Sequence, residues 1–170
     1  QLENIVGPVI EEAKAWGNIP IIAAGGVWDK NDIDKFIAMG CSGVQMATRF
    51  IGTFECDADA QFKNVLLNAK AEDIQLMKSP VGLPARGVMT NLQFSIENKT
   101  APKVQCISNC VSPCNRGHEA KIVGYCIADR IGAAYQGDTQ TGLFFSGSNG
   151  YRIDKIISVK ELMEKLTVGE

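Results

Sequence analysis

IPIIAAGG (residues 19–26) and SGVQMA (residues 42–47) are the two stretches that predict the fold. The first is apolar without alternation, which is typical of a strand buried on both faces of a parallel sheet. About two dozen residues separate the starts of the two strands, the length of one βα unit. Between them, Asn31 or Asp32 is placed to cap a helix that runs through Met39. This order predicts a parallel α/β architecture.

Amphipathic helices are predicted on both sides of this unit, over residues 2–16, 58–70 and 119–136. A final helix is predicted to begin at Ser158, which forms a capping box with Glu161. Residues 78–118 contain four of the six prolines and predict long irregular excursions. We expect residues 1–99 to form one part and residues 100–170 a cysteine-containing extension with terminal helices, within the same domain.

The composition and net charge of the chain exclude some classes of protein. With 45% hydrophobic and 21% charged residues, the chain of 170 residues is typical of a soluble globular protein. Its net charge of −2 gives no electrostatic footprint for nucleic acid, and no apolar run is long enough for a membrane span. Six cysteines without a secretory signal indicate a reducing, cytoplasmic compartment. The chain opens in a helical pattern without an initiator methionine, so we expect a piece of a longer protein.

The ends of the two predicted strands carry residues suited to binding an anion. Gly25 and Gly26 follow the first strand, and glycines there let the backbone approach a ligand and point its N–H groups outward. Gln45, Met46, Ala47 and Thr48 end the second strand, with small residues and a hydroxyl. In (β/α)8 barrels the phosphate commonly lies at the loops after strands 7 and 8. The alternative is a tight turn at the glycines and a helix cap at Thr48.

Three segments resemble the nitronate monooxygenase family and the FMN-dependent enoyl-ACP reductases of the same superfamily. IPIIAAGGVWDKNDIDKFIAMGCSGVQMATRF (residues 19–50) is similar to their strand 7–helix–strand 8 segment. KSPVGLPARGVMTN (residues 78–91) is similar to the segment after helix 8. GLFFSGSNGYRIDKIISVKELMEKL (residues 142–166) resembles their glycine loop and last helix. The resemblance implies the carboxy-terminal part of an FMN-binding (β/α)8 barrel.

The resemblance also implies a cofactor site. FMN phosphate would lie on the backbones of Gly25, Gly26, Ala47 and Thr48, with the Thr48 hydroxyl as a further donor. Gln45 and Met46 would line the flavin, whereas family members usually have glycine at the position of Ala47. Arg49 would either neutralise the phosphate or pair with a helix carboxylate. The histidine expected near the flavin lies upstream of this chain, so the catalytic residues are unknown, and no motif ties His118 to that role.

Two activities follow from the resemblance and stay open at this point. One is the oxidation of alkyl nitronates with O2, and the other is the reduction of enoyl thioesters with NAD(P)H through FMN. The expected ligand is a small-molecule substrate. Because half a barrel exposes the edges of its sheet, we expect a homo-oligomer or pairing with the missing amino-terminal half.

Four cysteines form a second candidate site, namely Cys106, Cys110, Cys114 and Cys126. Four thiolates suit tetrahedral zinc or an iron–sulfur cluster. The three-residue spacers differ from common zinc knuckles, and buried free cysteine is a frequent packing residue, so ordinary packing is the alternative. A metal here would favour a function of another class, a non-catalytic interaction module that carries zinc or a cluster.

Overall fold

The computed structural model describes residues 2–169, which contain eight α-helices and four short strands. The predicted α/β class is confirmed. The elements are α1 (Glu3–Ala15), β1 (Ile22–Ala24), α2 (Lys30–Ala38), β2 (Gly43–Gln45), α3 (Thr48–Ile51), α4 (Ala60–Asn68), β3 (Ile74–Met77), β4 (Ala85–Val88), α5 (Asn91–Glu97), α6 (His118–Val123), α7 (Ile127–Tyr135) and α8 (Val159–Thr167).

The contacts divide the chain into two compact units. Unit 1 comprises residues 2–56 and 155–169 of the described chain, and unit 2 comprises residues 57–154. The division expected from the sequence, between residues 99 and 100, stays a prediction. Among the described residues, no helix has the length and apolarity that crossing a bilayer requires.

The predicted βα unit forms the sheet of unit 1. Strands β1 and β2 are parallel, with Ile22 opposite Gly43 and Ala24 opposite Gln45. Parallel strands need a crossover connection, and α2 supplies it. The predicted helix over residues 2–16 is confirmed as α1, after which Gly17 and Asn18 take positive φ angles.

The core of unit 1 covers one face of this sheet. A buried cluster joins α1, β1 and α2, and comprises Val6, Ile10, Ala23, Val27, Phe36 and Cys41. The expectation that the first strand is buried on both faces is wrong for the described chain. Ala23 is 1% exposed, but Ile22 on the opposite face is 54% exposed. Successive side chains of a strand point to opposite faces, and α1 and α2 pack on the face of Ala23.

Side-chain caps fix where two helices of unit 1 begin. The cap of α2 is Asp29 and not Asn31 or Asp32, since Asp32 N donates to Asp29 Oδ1 at 3.1 Å. Asp32 reaches back from the first turn, where its Oδ2 accepts from Trp28 N at 2.8 Å. The predicted cap of α8 is confirmed, because Glu161 N donates to Ser158 Oγ at 3.0 Å. An acceptor at this position satisfies an N–H that has no partner within the helix.

Helix α8 closes a second apolar cluster in unit 1. Its buried members are Ile157, Leu162 and Leu166. Three partly buried side chains pack against them, Ile33, Met46 and Phe50. The terminal helix therefore supports both α2 and the segment that follows β2.

Unit 2 contains an antiparallel hairpin, and its second strand lies within residues 78–118, which the sequence predicted to be irregular. Strands β3 and β4 pair with Ile74 opposite Val88 and Met77 opposite Ala85. The strands have only four residues each, and two prolines, Pro80 and Pro84, lie in the loop between them, so periodicity gave no clear strand pattern. At Gly87 an added Cβ would lie 2.4 Å from the carbonyl oxygen of Phe144, so this position requires glycine.

The continuous helix predicted over residues 119–136 is wrong. Two helices, α6 and α7, occupy this stretch, and Gly124 ends the first with φ of 101°. Cys126 is the residue before α7 and does not lie on the face of a helix. A left-handed glycine at the end of a helix is a common stop signal, and the apolar spacing on both sides of it concealed the break.

Candidate functional site

The ends of β1 and β2 bring the predicted site residues to one edge of the sheet. Ala24 and Gln45 are opposite each other as the last pair of the ladder, so Gly25 and Met46 are the first residues beyond it. Parallel strands that pair in register end at the same edge. The sequence spacing predicted this arrangement, and the register of the ladder shows it.

The two glycines form an open, left-handed turn. Gly25 has φ of 108° and Gly26 has φ of 75°, and both are exposed. Glycine adopts these angles without strain. An added Cβ at either position would have no protein atom within 4 Å, apart from its neighbours in the chain. Packing within the chain therefore leaves the space over these two glycines available to a ligand.

The residues after β2 lie at the start of a short helix that the sequence did not predict. Gln45 ends the strand and is exposed, and Ala47 is exposed directly before α3. Thr48 is the first residue of α3, and Phe50 N donates to the carbonyl of Ala47 at 2.9 Å. Met46 is half-buried and packs against both apolar clusters of unit 1. A helix of four residues is too short to give a periodic signal.

Arg49 connects the two strand ends. Its Nη1 donates to the carbonyl oxygen of Trp28 at 2.8 Å, and its guanidinium carbon lies 4.8 Å from the centre of the indole ring. The sequence suggested phosphate or a helix carboxylate as the partner, and this contact with Trp28 is neither. The two residues are 21 positions apart, so no local pattern predicted their pairing.

The cysteine-rich stretch has a different character. Cys114 and Cys126 are buried in an apolar cluster with Ala120, and Cys110 packs against it with Val104 and Ala128. None of the six cysteines is in a disulfide. Within residues 2–169 no three histidine, cysteine or acidic side chains come together to hold a metal ion. The described residues therefore show no zinc or iron–sulfur site at Cys106, Cys110, Cys114 and Cys126, and the burial of Cys114 and Cys126 fits the packing alternative.

One buried titratable side chain lies next to this stretch. Tyr125 is 4% exposed and packs with Leu92 and Leu143, and its hydroxyl donates to the carbonyl of Lys78 at 2.6 Å. Burial raises the pKa of Tyr125 to about 12. The phenol therefore keeps its proton at neutral pH and ties the loop after β3 to the segment before α7. His118, the only histidine, is exposed at the start of α6.

Solved structures with a similar fold are of proteins longer than this chain. FabK from Thermotoga maritima is 25% identical, with a TM-score of 0.71, and the match covers 96% of this chain and 48% of FabK. The nitroalkane oxidase from Streptomyces ansochromogenes is 23% identical, with a TM-score of 0.64, and the match covers 96% of this chain and 43% of that one. At this identity the second likeness shows the fold alone. The chain spans less than half the length of either structure.

Curated relatives match a shorter part. The probable nitronate monooxygenases of Staphylococcus saprophyticus and Staphylococcus aureus strain Newman are each 35% identical over 71 residues. That match covers 42% of this chain and 20% of each relative. The family match is more extensive, since the sequence model of nitronate monooxygenase covers residues 1–169. This chain belongs to the nitronate monooxygenase family.

Proposed function

We propose that this chain forms the phosphate-binding end of the cofactor site in an FMN-dependent oxidoreductase, and that the complete protein oxidises alkyl nitronates with O2. The observation that carries the proposal is the placement of Gly25, Gly26, Ala47 and Thr48 at one edge of the parallel sheet. Membership of the nitronate monooxygenase family supports the reaction class.

The residues at this edge fit a flavin phosphate. The backbone N–H groups of Gly25, Gly26, Ala47 and Thr48 would hold its oxygens, and the Thr48 hydroxyl would be a further donor. The open space over both glycines admits such a group. Ala47 stands where the family usually has glycine, and its φ of −130° is outside the positive range that favours glycine.

Gln45 and Met46 would line the flavin beyond the phosphate. The exposed amide of Gln45 is available to the ring, whereas Met46 would contribute apolar contact from a side chain that also packs in the core. When bound, FMN would supply the electron-transfer chemistry, and the chain would bind it and orient it.

The parallel unit supports the further proposal that β1 and β2 are strands 7 and 8 of a (β/α)8 barrel. In that fold, phosphate sites form from the loops after these strands and the start of a short extra helix. Helix α3, which begins shortly after β2, would be that extra helix. Residues 100–169, with the four clustered cysteines, would then be an extension of the barrel.

The exposed apolar surface of unit 1 supports a proposal about partners. Ile5 of α1 is 59% exposed, Trp16 directly after α1 is 72% exposed, and Ile22 of β1 is 54% exposed. We propose that this surface packs against the remaining strands and helices of the barrel, or against a second copy. Trp16→Glu should then reduce association in sedimentation measurements, whereas an unchanged profile would contradict the proposal.

Assays of the complete protein test the reaction. We expect nitronate-dependent oxygen uptake and no NAD(P)H-dependent reduction of a crotonyl thioester. Thioester reduction without oxygen uptake would instead establish the enoyl-ACP reductase alternative. The 170-residue chain alone should show neither activity, because the expected catalytic histidine is upstream. We also propose a reducing compartment such as the cytoplasm, since the buried Cys114 and Cys126 pack as thiols in an apolar cluster.

A further inference from the structure

We propose that Arg49 is a positioning residue, which sets the distance between the Gly25–Gly26 turn and the start of α3. The inference rests on the proposed function, because a phosphate held from both sides requires the two segments to stay in register. It differs from direct neutralisation of the phosphate, since Arg49 would act through Trp28.

The β ladder does not by itself hold the two segments together at the site. Its last pair is Ala24 and Gln45, and the chain beyond them is outside the ladder. Arg49 directly follows Thr48 and reaches across to the Trp28 carbonyl at 2.8 Å. This contact therefore joins the two segments just beyond Gly26 and Thr48, which would hold the phosphate.

Trp28 transmits this restraint to the glycines. It is 6% exposed, and its N–H donates to Asp32 Oδ2 at 2.8 Å, so α2 holds it from one side while Arg49 holds it from the other. Only Val27, which is also buried, separates Trp28 from Gly26. A displacement of Trp28 would consequently move the backbone of Gly26.

Arginine is suited to this task in a way that lysine is not. The planar guanidinium donates to the carbonyl and at the same time lies 4.8 Å from the centre of the indole ring. A lysine ammonium keeps the positive charge but lacks the planar fork that does both. Arg49→Lys therefore removes the geometry while it preserves the charge.

The test compares FMN with riboflavin, which lacks the phosphate. Titration of the complete protein by flavin fluorescence and ³¹P NMR should show that Arg49→Lys raises the Kd for FMN about tenfold, the size expected for one misplaced charge-assisted contact. Trp28→Phe should raise it by a smaller factor, because phenylalanine binds cations less well than tryptophan. The Kd for riboflavin should not change in either variant.

The control is Arg86→Gln, which removes a positive charge from an exposed position of β4 in unit 2 and should leave both affinities unchanged. Wild-type FMN affinity in both Arg49→Lys and Trp28→Phe would overturn the inference and favour direct charge neutralisation. Equal weakening of FMN and riboflavin would show a general structural defect and would also overturn it. If the wild-type chain bound FMN no tighter than riboflavin, the proposed function itself would fail. Circular dichroism verifies that each variant is folded. If Trp28→Phe does not fold, Arg49→Lys alone decides the test, because Arg49 is only half-buried.

Discussion

Two regions of this molecule have sequences typical of ligand sites, and they fold in opposite ways. The strand-end region (Gly25, Gly26 and 45–49) lies at the edge of a parallel sheet, with open space over its two glycines. The cysteine region (residues 106–126) instead buries Cys114 and Cys126 in an apolar cluster. In the first region two glycines leave the space above them open, whereas in the second the side chains fill the space themselves.

The comparison of these two regions shows when the spacing of residues in a sequence predicts a binding site. In the strand-end region, the pairing of β1 with β2 forces residues about twenty positions apart to one edge of the sheet, as parallel ladders do. In the cysteine region, no ladder or helix spans all four cysteines, and Gly124 interrupts the helical stretch before Cys126. A thiol without a metal behaves as a small apolar side chain, so burial is its favourable outcome.

The largest expected effect concerns the strand-end region. Gly26→Asp should weaken FMN binding by at least about a hundredfold, because a carboxylate a few Å from a phosphate repels it. Gly26→Asn is the matched control, since asparagine has nearly the size of aspartate and a similar tolerance of φ of 75°, without the charge. FMN titration measures both. Stoichiometric FMN in Gly26→Asp would show that this region is only a turn.

A smaller effect is expected in the cysteine region. Cys114→Ser should lower the free energy of unfolding by about 1–3 kcal/mol, because it places a hydroxyl in an apolar cluster. Cys106→Ser, at a half-buried position, should have less effect. Urea denaturation with and without a chelator gives the measurement. Destabilisation by the chelator alone would restore the metal hypothesis and remove the contrast between the two regions.

The smallest effect concerns the hydrogen bond beside the cysteine region. Tyr125→Phe removes the donor to the Lys78 carbonyl and should lower the free energy of unfolding by about 1 kcal/mol at neutral pH. Tyr151→Phe, at a residue that is 41% exposed, is the control and should change little.

The same variant has a pH signature. Folding raises the pKa of Tyr125 from 10 to about 12, so above pH 10 the unfolded chain loses a proton that the folded chain keeps. The contribution of this group is therefore fully present below pH 10 and is lost as the pH rises to about 12. Tyr125→Phe should show a shallower loss of stability over this interval. Parallel curves for the variant and the wild type would contradict the buried, protonated phenol.

The sequence by itself determined the parallel βα unit, α1, the cap of α8 at Ser158, and the family. Each depends on local spacing, because an apolar run, a period of three to four residues or a capping box is contained within one element. The sequence also identified Gly25 and Gly26 as candidate binding residues. Both take positive φ angles, and such angles favour glycine whatever packs around the turn.

Only the tertiary structure decided which of these patterns converge. The contact of Arg49 with Trp28, the burial of Cys114 and the exposure of Ile22 depend on packing between segments that are distant in sequence. The hairpin of β3 and β4 was missed for the same reason, because its short strands are defined by each other and by the bridge from Gly87 to Phe145. A local pattern specifies what a segment can form, and long-range pairing determines which surfaces of those segments meet.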